Sequence, residues 1–265
     1  MRRLWIGLTV AVFGLLLVVP VVRIAMGAFG DGWQGFANGL ARPETLHALY
    51  LTGLIVVIVT LVNTLFGVML SLYLVRATWL GRRLKQLLNS VVDLPFAVSP
   101  VIGGFMIVLL LGPETALGSL LGRAGINVVY ALPGMIIATL FVTFPLIVRE
   151  VMPVLQEIGS AQEEAASTLG ANAWTTFWRV TWPSIRWSVV YGVVLTVARA
   201  LGEFGAVLVV SGNILFRTQT ATTLVYQDVE NFNLIAANSI ALVLAAGSVT
   251  LLLLMEWAKS RREVH

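Results

Sequence analysis

Five stretches of this chain run without Asp, Glu, Lys or Arg for about the length of a membrane crossing: 4–22, 48–75, 94–112, 124–148 and 231–255. A helix needs about 20 apolar residues to span the hydrocarbon core. A sixth stretch, 187–216, would match the others but for Arg199 and Glu203. Hydrocarbon offers the backbone no hydrogen bonds, so a crossing must be a helix or a strand of a closed barrel. The stretches are too long for barrel strands and lack their alternation. The fold class expected is all-α: a polytopic membrane protein of six transmembrane helices, a single domain over 1–265 with both termini on one side. Charge agrees, at 11% of residues against about 25% in a soluble domain. The absence of cysteine excludes disulfides, thiolate metal sites and cysteine nucleophiles.

Orientation follows from the basic residues in the flanks. With the N-terminus inside, twelve of the seventeen Lys and Arg fall on inner segments, from Arg2 and Arg3 through Arg149 to Arg261 and Arg262. Four fall outside (Arg23, Arg42, Arg123 and Arg217), and Arg199 lies within a span. The split predicts both termini in the cytoplasm, and a multi-pass protein of the cell (inner) membrane is the localisation expected. The opening residues could instead form a secretory signal, but the apolar run is long for one and no small-x-small cleavage site follows Val22.

Two local features test the helical reading. "GDGWQG", Gly30 to Gly35, matches G-x-G-x-x-G, which signals dinucleotide binding only between a strand and a helix; between two spans it reads as a flexible turn. Pro95 and Pro100, with Gly103 and Gly104, predict a kink or interruption of the third span, because proline removes a backbone donor and clashes with the preceding turn. Such a bend is either ordinary packing or lines a pathway. Pro145 and Pro153 are expected to bracket the exit of the fourth span.

The longest inner loop, 149–186, is polar and carries helix punctuation. Ser160 followed by Glu163 reads as a capping box. A short helix over 161–169 would then stop at Gly170. Asn172 can cap a second helix through Trp174, Phe177 and Trp178, which Pro183 should end by pushing Trp182 out of helical geometry. Ala161 and Ala165 share one face of the first helix, as do Ala166 and Gly170, and Gln162 joins the second pair. Small faces let a helix sink against another surface, with Glu163 and Glu164 left for cationic partners. The aromatics of the second helix suit the bilayer interface. An amphipathic loop without a partner is the alternative on capping alone.

The spacing adds a resemblance. Glu164-Ala165-Ala166, three residues, Gly170, nine residues, then Val180-Thr181-Trp182-Pro183 resembles the "EAA" signature of ABC importer permeases, with Trp182 where leucine is usual. In that family the loop forms a coupling helix seated in a cleft of a separate ATP-hydrolysing subunit. The resemblance implies a type I ABC importer permease fold. It also implies an ATPase-coupling site at Glu163, Glu164, Ala165, Ala166, Gly170 and Pro183. The lysines agree that the motor is elsewhere: Lys85 is followed by Gln86, and Lys259 lacks the glycines of a phosphate-cradling loop. The chain is expected to be no enzyme and to bind no cofactor or metal, ATP being used by the partner.

"ARALGEFGAV" and "VVSGNI" are similar to the permeases of oxyanion importers, those for sulfate, thiosulfate, molybdate and tungstate. The sulfate/thiosulfate type is nearest, with a molybdate/tungstate permease as the alternative. The resemblance implies ABC ATPase subunits, an extracytoplasmic oxyanion-binding protein and a second permease, as a heterodimer in sulfate systems or a homodimer in molybdate ones. Membrane lipid is the solvent, and no nucleic acid is expected. Arg199 and Glu203, at i and i+4, can pair within one helix, and charges at that depth require a partner or a wet cavity. They read as a buried ion pair or as part of the translocation path. An intramembrane enzyme lacks its residues, since the two histidines are His47, in an outer loop, and His265. An ion-coupled secondary transporter would share the broken helices and the charge pair, but has no use for the 164–183 spacing.

Overall fold

The computed structural model describes residues 2–77, 79 and 81–263, and of these the side chains of 2–4, 258 and 260–263 are left aside; His265 and the side chains of Arg2, Arg3, Arg261 and Arg262 thus lie outside the described residues. No strand occurs among the described residues. The first crossing is α1 (Arg2–Ala28), and a turn leads into the short α2 (Gly32–Ala41). "GDGWQG" therefore follows a helix, outside any βαβ unit. Next come α3 (Pro43–Arg76), α4 (Arg82–Ala97), α5 (Pro100–Leu111), the short α6 (Ala116–Arg123) and α7 (Leu132–Ile158).

The polar segment contributes α8 (Ala161–Thr168), α9 (Ala173–Thr176) and a π-helical turn, Phe177–Thr181. After it come α10 (Trp182–Leu201), α11 (Gly205–Ser211), α12 (Ala221–Glu230) and α13 (Leu234–Glu263). Five helices are long and apolar enough to cross a membrane, or six when α4 and α5 count as one broken span.

The core is a three-helix contact of α3, α7 and α10. Val68, Ile147, Val151, Leu155, Ile185 and Val189 meet there, all buried. Around it lie α13, with α1 along it, and the broken pair α4–α5. Between α4 and α5 the chain turns by 110°, as the prolines predict: Pro100 opens α5 from Ser99, whose backbone is extended. Gly104 sets the approach of α5 to α11, since a Cβ there would stand 2.6 Å from the carbonyl oxygen of Ala206. Leucines, valines and phenylalanines over α1, α4 and α5 remain exposed, as lipid or a second subunit requires.

Four expectations are corrected. Helix α7 runs on to Ile158 with Pro145 and Pro153 inside it, so the loop begins ten residues later than the uncharged run suggests, and Arg149 is part of the helix. There Arg149 forms an ion pair with Asp93 of α4, which compensates its charge on the helix. Pro183 ends nothing: Trp182 is α-helical, and 173–201 form one continuous rod. The π-helical turn makes this possible, because Trp182 N–H bonds to Phe177 O, a wider ring that adapts the ladder ahead of the missing proline donor. The aromatic "second helix" is therefore the foot of a span. The fifth span itself is shorter than 187–216, since α10 stops at Leu201.

Candidate functional site

Two places gather the residues singled out from sequence, and the first is α8. Gly170 has φ +84°, the left-handed region where a Cβ is costly, and Ala171 N–H closes back on Ala166 O at 3.0 Å. That wide closing bond, with Gly170 N–H on Ser167 O, stops α8 as the sequence predicts. Asn172 Oδ1 accepts from Thr175 N–H at 2.8 Å and caps α9, also as predicted.

The capping box at Ser160 does not form. Ser160 makes no side-chain cap, and its hydroxyl donates to Glu164 instead. Glu163 is held elsewhere: Arg76 Nε lies 2.8 Å from Oε2, Arg76 Nη2 donates to Oε1 at 3.2 Å, and Thr181 Oγ1 donates to Oε1 at 2.8 Å. Arg76 also donates to the carbonyls of Gly159 and Leu155. A charged partner outbids a neutral backbone amide for a carboxylate. Glu163 is thus not free for a cationic partner; it clamps α8 to the ends of α3 and α7 and to the π-helical turn.

That clamp decides which face of α8 is free. Glu163 and Ala166 are half-buried against the bundle, while Ala161, Glu164, Ala165 and Gly170 are exposed. Ala161, Ala165 and Leu169, at i, i+4 and i+8, form one outward stripe ending in Leu169, which is 89% exposed. A stripe of small residues closed by a leucine can fit a shallow apolar groove. Sequence reasoning passed over Leu169, although a lone leucine in "ASTLGAN" was the available signal. Pro183 is exposed and lies beyond the clamp at the start of α10. Trp174, Phe177, Trp178 and Trp182 form a ring cluster beside it, with centroid distances from 5.3 to 6.3 Å.

The second place is the break between α10 and α11. Arg199 Nη1 stands 2.7 Å from Glu203 Oε2, with side chains 39% and 2% exposed. The pair forms as predicted, but Glu203 lies past the end of α10. Its other oxygen accepts from Ala206 N–H at 3.0 Å, and its backbone carbonyl accepts from Thr222 Oγ1 at 2.7 Å. The carboxylate caps α11, so the helix breaks at Gly202 rather than carrying Glu203 into apolar surroundings. Arg199 opens on a cavity of about 410 Å³ whose wall comprises residues 95–100 at the α4–α5 break, with Val142 and Leu146 of α7.

At the end of the bundle away from α8, Arg42 Nη1 bridges both oxygens of Asp228 at 3.0 and 2.9 Å, and Nε donates to Glu44 at 2.8 Å. Burial opposes its charge, but the bonds and charges of Glu44 and Asp228 outweigh this and raise its pKa. The cluster joins α12 to the start of α3. No group of His, Asp and Glu among the described residues is arranged to hold a metal.

A helical bundle with a broken span, a charged cavity and a clamped polar helix at one end defines a membrane permease subunit. Comparison places it: the chain belongs to the family of binding-protein-dependent transport system inner membrane components, which matches residues 63–263. It is 47% identical, over 97% of this chain and 88% of the relative, to the sulfate transport system permease protein CysW of Synechococcus elongatus. It is 33% identical, over 93% of this chain and 88% of the relative, to the sulfate transport system permease protein CysT of Escherichia coli (strain K12). In fold it is similar to a chain of a bacterial alginate ABC transporter crystallised with a periplasmic protein bound to alginate pentasaccharide, with TM-score 0.79, 18% identity, and coverage of 98% of this chain and 94% of that one. The all-α, type I importer permease architecture expected from the sequence is the one found.

Proposed function

We propose that the chain is one permease subunit of an ATP-driven importer of sulfate or thiosulfate, with α8 seated in a cleft of a separate ATP-hydrolysing subunit. The observation that carries the coupling is α8 itself. Its stripe of Ala161, Ala165 and Leu169 is bare, while Glu163 ties it to three other parts of the bundle. A push on the stripe would pass into α3, α7 and α10 together. Gly170 shapes the end of that surface, Glu164 offers its charge beside the stripe, Ala166 packs inward, and Pro183 lies within the long rod behind it. The cargo rests on likeness to permeases named for sulfate transport.

In this reading α8 faces the cytoplasm, as do both termini, and an extracytoplasmic binding protein delivers the anion at the opposite end. Two relatives with different names, CysW and CysT, favour a heterodimer of permeases, this chain being nearer the CysW type by identity. The chain holds no cofactor and has no ATPase of its own; ATP binds the partner. Arg199 and Glu203 border the path.

Co-purification of the complex, followed by uptake of radiolabelled sulfate into proteoliposomes, tests this. Uptake should require ATP and the binding protein and be competed by thiosulfate. Competition by molybdate and tungstate alone would reassign the cargo. Uptake without an ATPase subunit would remove the coupling role.

A further inference from the structure

Asp93 of α4 and Arg149 of α7 form an interhelical ion pair, and nothing in the proposed function uses it. Nε of Arg149 donates to Oδ1 of Asp93 at 2.7 Å and Nη2 to Oδ2, while Nη1 has no hydrogen-bond partner among the described residues. Neither side chain is packed away: the arginine is 34% and the aspartate 43% exposed. At 1.5 Å per residue, Arg149 lies about 14 Å along α7 from its α8-side end at Ile158, directly after the uncharged run that ends at Val148. A charged pair this open, at the end of an apolar run, is not directed at hydrocarbon. It borders either the second permease or a wet passage.

The Arg199 cavity favours the passage. Val142, Leu146 and Arg149 stand at i, i+4 and i+7 and share one face of α7, and the first two line the cavity with Arg199. On α4, Asp93 and Ala97 share a face in the same way, and Ala97 lines the cavity too. The Asp93–Arg149 pair is therefore the next turn of the same wall, on the side towards α8. Two arginines follow one another along this wall, each engaged by one carboxylate.

We propose that Arg149 is a second station for the oxyanion on the α8 side of Arg199, and that Asp93 keeps it closed until α4 moves about the break with α5. The step is an exchange. Asp93 releases Nε and Nη2, and the oxygens of the anion accept from them. The guanidinium stays compensated throughout, which avoids the cost of an unpaired charge in a low-dielectric setting. The released carboxylate is already open enough to be hydrated. This inference rests on the reading of the chain as an oxyanion permease.

The test uses the assembled complex in proteoliposomes with radiolabelled sulfate, and compares Asp93→Asn, Arg149→Gln, Arg149→Lys and the double variant Asp93→Asn/Arg149→Gln. Arg149→Gln and the double variant should still hydrolyse ATP yet transport sulfate about tenfold or more slowly, the scale of one lost charge-assisted hydrogen bond. Arg149→Lys should retain part of the rate. Asp93→Asn should let sulfate pass down its gradient without ATP. A double variant that transports at the wild-type rate would show the pair to be structural and overturn the proposal. It also decides the matter if a single variant fails to assemble, because it strands no charge. An Asp93→Asn complex as tight as wild type would remove the closing role. A wild-type complex that moves no sulfate refutes the assignment of cargo instead, before any variant is measured.

Discussion

Replacing Glu163 by alanine should loosen α8 by about 2 kcal/mol, and the structure shows how that figure arises. The carboxylate accepts one hydrogen bond from Arg76 and one from Thr181. Bonds to a charged group are worth about 1.5 to 3 kcal/mol each. The Arg76 share is smaller here, because its side chain is 23% exposed and keeps the carbonyls of Leu155 and Gly159. The Thr181 share is larger, because that residue is 6% exposed and its hydroxyl loses its acceptor. A loss of about 2 kcal/mol corresponds to an open population of α8 raised about 30-fold. Hydrogen exchange over residues 164–176 in nanodiscs reads this directly. Glu163→Gln keeps an acceptor for Thr181 and should fall between wild type and alanine. Glu164→Ala, three atoms of chain away but exposed and bonded only to the Ser160 hydroxyl, should stay within about 0.5 kcal/mol. Equal exchange in Glu163→Ala and Glu164→Ala would refute the clamp.

Gly170→Val places a β-branched residue at φ +84°, a region that costs about 1 to 2 kcal/mol for residues with a Cβ. It should lower sulfate uptake and capture of the ATPase subunit, and wild-type values for both would remove Gly170 from the coupling surface. Arg199→Leu and Glu203→Leu should both impair assembly, the first by stranding a carboxylate that is 2% exposed and the second by uncapping α11; breaking a fully buried pair costs about 3 to 5 kcal/mol, which is the upper bound here. Arg199→Gln with Glu203→Gln keeps that cap and should assemble, so an assembled but inactive double variant assigns Arg199 to the anion path, while restored transport makes the pair structural. The chain has no cysteine, so single cysteines at Gly32, Gly81, Ala124 and Gly170 report sidedness to an impermeant reagent in whole cells. Gly32 and Ala124 should label and the other two should not; labelling at Gly81 but not Gly32 would invert the orientation and the placement of α8.

The membrane class, five of the six expected crossings, the break after Pro95 and the stop at Gly170 were all legible in the chain as written. Each depends on a local property: apolar length, a missing proline donor, a glycine where φ turns positive. Such properties add along the sequence, whatever the rest of the molecule does. The partner of a charge does not work that way. Glu163 reads as a capping residue because Ser160 stands three before it, yet its partner is Arg76, 87 positions away. Arg149 reads as the first residue of an inner loop, yet it lies within α7, which runs on to Ile158, and is paired there with Asp93, 56 positions earlier. Pro183 reads as a terminator, yet a π-helical turn runs the rod through it. In each case several local arrangements are close in energy, and a long-range ion pair or helix contact worth a few kcal/mol selects one. Packing of α3, α4, α7 and α10 brings those distant groups together, and only the tertiary structure contains it.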